Sequence, residues 1–229
     1  MDHFTPCKHT VSQENMKGFD VEYAAIDPKL RSRIEHWQID IPPTQFRQYG
    51  PLTTYFVQRF PHKIAKPQAL MYAIYEGPAD NAVPVARISI DSTGNIIDKT
   101  SNKNYPDLVL CDYYGADCDE VPGDIIRLIL EVGSMSQDLR PTTDSKKDLI
   151  IAQLHRYMSL LGDDTGSYGR WVGEAFGLAM IGNEFTYVMA SELYASTEPW
   201  PKNLAWYSIY GKEWNDIMKD VENLPIPPA

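Results

Sequence analysis

Two acids in this chain stand where carboxylates do chemistry. Asp107 follows Pro106 at the entry of the segment PDLVLCDYY, and Glu131 closes the apolar run DIIRLILEVGS, 24 positions later. That separation suits a strand, a loop and a returning strand, so adjacent strands would bring the two carboxylates together. Paired carboxylates repel one another, and a hard divalent cation such as Mg²⁺ is the usual means of holding both ionised. Glu131 makes the heavier demand, because an uncompensated charge behind Leu128, Ile129 and Leu130 would cost on the order of several kcal/mol. The alternative is an ion pair with Arg127, Lys146 or Arg156.

The elements that must position these acids are legible in the periodicity. PDLVLCDYY enters a strand at its proline, one of the few strand positions where a missing donor is tolerated. DIIRLILEVGS has the continuous apolar character of a strand covered on both faces. Residues 143–161 form the clearest helix: Ile150, Leu154, Tyr157, Met158 and Leu161 recur at helical spacing, Thr143, Asp144 or Ser145 can cap its start, and Gly162 stops it. On it, Gln153 and Tyr157 are four apart and share a face. Lys146 lies within about 20° of the azimuth of Gln153, while Lys147 points about 120° away and is expected to be inert. A tyrosine with its ring in the core and its hydroxyl at the edge is the plainer reading of Tyr157.

Elsewhere the sequence predicts a helix over 28–38, ended by Pro42-Pro43, and one over 67–75, stopped by Gly77-Pro78. TTYFVQRF reads as strand or helix, and VPVARISID as a strand. EAFGLAMIGNEFTYVMAS reads as a hairpin turning at Gly182-Asn183, and a last helix falls near 211–223. The order predicts a mixed α/β or α+β class.

Pro106-Asp107, then Glu131-Val132-Gly133, then Gln153 and Tyr157 on the following helix resemble the PD-(D/E)XK nuclease superfamily, in particular its RecB-like branch with a QxxxY helix. The resemblance spans about residues 67–190. It implies a restriction-endonuclease-like core, a mixed central sheet flanked by helices, with Asp107, Glu131 and the Val132 carbonyl holding Mg²⁺ or Mn²⁺ and with Gln153 and Tyr157 orienting the site. The family pattern has lysine two positions after the second acid, where this chain has Gly133. Lys146 is the candidate replacement by its helical face. The acid that some members carry on the preceding helix would be Glu76, or else Glu35. The chain then divides into an N-terminal extension over 1–66, a core over 67–191 and an aromatic C-terminal extension over 192–229 packed on the core.

Composition narrows the partners. The 229 residues carry a net charge of −10, which disfavours a nonspecific nucleic-acid coat. The charge is uneven: from Lys29 to Lys66 seven basic residues face only Glu35 and Asp40, with aromatics interleaved. Arg31, Arg33, Arg47, Arg59 and Lys63 are therefore the expected contacts to DNA or RNA, unless the segment is a solvated face paired with the acidic stretch from Asp107 to Asp124. No apolar run reaches the roughly 18 residues of a membrane span, and three cysteines are too few for a disulfide framework, so an intracellular protein with no membrane partner is expected. Paired zinc-ligand spacing and a serine-hydrolase signature are both missing. The competing readings are a Mg²⁺-dependent nuclease, a nuclease-like fold that has lost catalysis and serves as a binding or protein-interaction module, and an unrelated α+β domain.

Overall fold

The computed structural model describes residues 11–12, 18–67, 106–113, 124–135, 144–159, 161, 173–195 and 204–225. The expected helix over 67–75, the strand VPVARISID and Glu76 lie outside the described residues, save for Pro67 itself. Among the described residues seven strands, β1 (Val11–Ser12), β2 (Ile64–Pro67), β3 (Leu108–Tyr113), β4 (Asp124–Gly133), β5 (Phe176–Ile181), β6 (Glu184–Met189) and β7 (Trp206–Ser208), form one mixed sheet in the order β1-β7-β6-β5-β4-β3-β2. The helices are α1 (Pro28–Glu35), α2 (Phe46–Arg59), α3 (Asp144–Met158), α4 (Ala190–Ala195) and α5 (Lys212–Asn223). β4 and β5 are parallel, which requires a crossover, and α3 supplies it. The β5–β6 hairpin turns at Gly182-Asn183, where Gly182 takes a φ of 61°.

Local chemistry fixes the helices on the basic segment. Asp27 caps α1 by accepting from the backbone nitrogens of Lys29 (2.8 Å) and Leu30 (3.1 Å), with Pro28 in the first turn. TTYFVQRF resolves as the end of α2. Its buried positions Gln48, Leu52, Tyr55, Phe56 and Arg59 follow a helical stripe that no strand could bury on one face.

Alternation along β4 sends neighbouring residues to two cores. Leu128, Leu130 and Val132 face a cluster completed by Ile34, Leu52, Phe56 and Trp214 from α1, α2 and α5, whereas Ile129 joins Ile150, Leu154, Tyr157 and Met158 of α3. Glu131, two positions from Ile129, therefore lies on the α3 side. Among the described residues, no helix is long and apolar enough to cross a membrane.

Lys147, expected to point away from Gln153, has a structural role on its own face of α3. It is buried, its Nζ lies 2.6 Å from Glu184 and 4.5 Å from the centre of the Trp206 ring. Lys147→Met should cost about 1–2 kcal/mol, a range held down by the partial exposure of Glu184, and urea denaturation of the two proteins measures it.

Candidate functional site

The ladder between β3 and β4 pairs Leu108 with Leu130, so the next pair along sets Asp107 opposite Glu131. The Asp107 backbone nitrogen donates to Glu131 Oε2 at 3.4 Å. One residue further, Val132 would face Pro106, which has no N–H to give. The Val132 nitrogen donates instead to Asp107 Oδ2 at 2.7 Å, and because both polar groups of a strand residue point to the same edge, the Val132 carbonyl opens toward that carboxylate with no ladder donor from β3. The Pro-Asp dipeptide thus ends the ladder where the two acids meet.

Helices on both faces of the sheet reach this point. From α2, the Tyr49 hydroxyl donates to Asp107 Oδ1 at 2.5 Å. From α3, Tyr157 is buried, and its pKa is pushed up to about 12, first by burial and then by the charge on Glu131. Burial also pushes the Glu131 carboxyl up to about 8, helped by the nearby charge of Asp107. Asp107 is raised by burial too, with the hydrogen bonds from Tyr49 and Val132 acting against the rise. Burial and the bond to Asp107 push Tyr49 far upward, so it stays a donor.

The cation that acts on Glu131 is Arg156, an exposed residue of α3 next to Tyr157. Neither an ion pair to Arg127 nor one to Lys146 forms: Arg127 is fully buried against Asp112, its Nε 2.5 Å from Oδ2. Lys146 is half-buried one turn before Ile150, whose Cδ1 would sit 3.0 Å from a Cβ built at Gly133. A side chain at position 133 would thus meet Ile150 and also Ile181, whose Cγ1 would lie 2.9 Å from that Cβ. The structure places Lys146 on the helical face expected, yet its charge is not among those that shift Glu131. Gln153 is half-buried one turn before Tyr157 and makes no hydrogen bond to either acid. Glu35 is elsewhere, accepting from the Phe19 nitrogen at 3.2 Å.

Two carboxylates and a strand carbonyl free of its ladder, with no salt bridge to either acid among the described residues, form a donor set of hard oxygens that fits Mg²⁺ or Mn²⁺. Among the described residues no three His, Cys, Asp or Glu side chains converge, so water would complete the shell, as Mg²⁺ prefers. Tyr49 was not foreseen as part of the site. Its only sequence signal was its place in an aromatic, basic segment, and the contact depends on how α2 packs on the sheet. Tyr49→Phe should keep the fold and weaken cation affinity about 10- to 100-fold, as loss of a partner that orients a ligand does, and cation-induced thermal shifts would measure it.

Three of the expected nucleic-acid contacts are occupied internally. Arg59 is buried between Asp20 and Glu222, with its guanidinium 4.2 Å from the centre of the Tyr23 ring. Lys63 is spent on Asp112 at 2.6 Å, and Arg31 donates to the carbonyls of Tyr23 (2.5 Å) and Asp20 (3.3 Å). These bonds are why a rim built from all five cations does not exist; Arg33 and Arg47 are exposed. Compared with protein-family models, curated proteins and solved structures, the chain gives no match.

Proposed function

We propose that this protein is a Mg²⁺- or Mn²⁺-dependent nuclease that hydrolyses phosphodiester bonds of DNA or RNA inside the cell, on a restriction-endonuclease-like core. The observation that supports it most is the meeting of Asp107 and Glu131 where Pro106 frees the Val132 carbonyl. These three groups would hold the cation. When bound, a divalent cation supplies charge neutralisation at the phosphoryl group and makes water a better nucleophile at neutral pH.

The chain's own residues do the rest. Tyr49 fixes the rotamer of Asp107 through its short hydrogen bond. Tyr157, with a pKa near 12, remains protonated at neutral pH, so it orients a phosphate oxygen or a water by donating and cannot serve as the base. Arg156 brings the positive charge that the family lysine would have brought, and its planar fork suits a phosphoryl oxygen pair. Gln153 is assigned to substrate positioning from the same helical face.

The test is cleavage of short end-labelled DNA and RNA with Mg²⁺ or Mn²⁺ against chelator, in wild type and Asp107→Asn. Metal-dependent cleavage lost in the variant is expected. Arg156→Gln should slow the reaction on the order of 10²-fold, as loss of one charge-stabilising donor does, and Lys146→Met should stay within roughly tenfold of wild type. A second reading has a specific observation in its favour: a side chain at position 133 would meet Ile150 and Ile181. A nuclease-like fold without catalysis would bind nucleic acid or protein and leave every substrate intact.

A further inference from the structure

The exposed cations of the basic segment are gathered in one place, away from those spent internally. A groove of about 820 Å³ runs between α1, the turn after it and the start of α2, and Lys29, Arg33, His36, Trp37, Asp40 and Arg47 line it. Lys29, Arg33 and Arg47 are exposed, and among the described residues none of their side chains has a hydrogen-bond or ion-pair partner. Three unpaired cations converging on one groove in a protein of net charge −10 repel each other, and only Asp40 offsets them there. An anionic ligand with spaced charges removes that repulsion. Trp37 is buried and gives the groove a rigid wall.

Phe46 links the groove to the two acids. It immediately precedes Arg47 in the first turn of α2. Its ring is left 72% exposed and packs edge-on against Tyr49, the Asp107 partner, with 5.8 Å between centroids. A large exposed ring beside a charged groove offers a stacking face, and only an unpaired base can use one.

We propose that this groove binds the phosphodiester backbone of a single-stranded nucleic acid through Lys29, Arg33 and Arg47, with Phe46 stacking an unpaired base next to Asp107 and Glu131. The proposal rests on the nuclease reading for its ligand class and adds the strand preference and the residues that set it. A duplex would meet the same cations without using the ring.

The test is the salt dependence of binding to labelled single-stranded and duplex oligonucleotides in chelator, with the full chain. Arg33→Gln/Arg47→Gln should weaken single-strand binding and reduce the log–log salt slope by about 1.4, at about 0.7 per phosphate contact. Phe46→Ala should weaken single-strand binding on the order of tenfold and leave duplex binding unchanged. Lys212→Gln/Lys219→Gln removes the same charge from α5, where both lysines are already paired with Asp216 and Glu22, and should change neither slope. Duplex binding as tight as single-strand binding, or equal effects of the groove and α5 variants, would overturn the proposal. Cleavage by wild type with groove variants binding normally sinks the groove and spares the nuclease; groove-dependent binding without any cleavage does the reverse. If wild type binds neither form, the proposal fails.

Discussion

Asp112→Ala should destabilise the protein by about 3–5 kcal/mol, the cost of breaking a buried ion pair by removing one partner. Asp112 holds two cations at once: Arg127 through Oδ2 at 2.5 Å and Lys63 through Oδ1 at 2.6 Å. Arg127 is fully buried and also donates to the Pro225 carbonyl at 2.5 Å, a bond that satisfies a proton without neutralising the charge. Removing the carboxylate therefore takes a counter-charge from a guanidinium buried in the sheet, and at about 2–4 °C per kcal/mol for a chain of this size the melting temperature should fall by roughly 6–20 °C. The double variant Asp112→Ala/Arg127→Met should recover much of the loss, since it removes the buried positive charge along with the carboxylate. A loss below about 1 kcal/mol in the single variant would mean that water or Pro225 compensates Arg127.

The cation-free protein should lose stability as the pH rises from about 4.5 toward about 8, the ordinary and the folded-state pKa of Glu131. In that window the folded Glu131 keeps its proton while the unfolded chain has released it. The folded state binds more protons, so each rise in pH favours unfolding. The contribution is fully present below the unfolded value and gone above the folded one. Its size is on the order of a few kcal/mol, given about 1.4 kcal/mol per pKa unit. Asp107, also raised by burial, adds with the same sign. Glu131→Gln should flatten the profile and make the cation-free protein more stable than wild type above about pH 8. Guanidine unfolding at a series of pH values gives both curves, and parallel curves would contradict the assignment of the shift to Glu131.

The sequence carried the architecture further than the site. α3, the hairpin and the strands bearing Asp107 and Glu131 announced themselves because each buries a periodic apolar face, and the mixed class followed from their order. β1, β2 and β7 escaped because two to four residues carry no period and form only by pairing with strands distant in the chain. α2 stayed ambiguous since TTYFVQRF is short and aromatic, and only its continuation back to Gln48 reveals the stripe.

The two acids were legible from type and spacing, but their surroundings were not. Arg59 and Lys63 look like solvent-facing cations in the sequence, yet Asp20 and Asp112, each distant along the chain, draw them inside. Lys146 and Arg156 were indistinguishable as partners for Glu131 because their order along the strand depends on the direction in which α3 crosses it. The close approach of Ile150 to Gly133 sets that direction, with the C-terminal end of the helix over Glu131 and Gly177, whose Cβ would meet Met158 Sδ at 2.7 Å.

Titration of Mg²⁺ into the protein near pH 7, followed by calorimetry in buffers of different ionisation enthalpy, tests the central claim most directly. A site built on Asp107 and a largely protonated Glu131 should bind the cation with release of close to one proton, and Asp107→Asn and Glu131→Gln should each abolish the heat. Absence of saturable binding at millimolar Mg²⁺, or binding that survives Asp107→Asn unchanged, would contradict it.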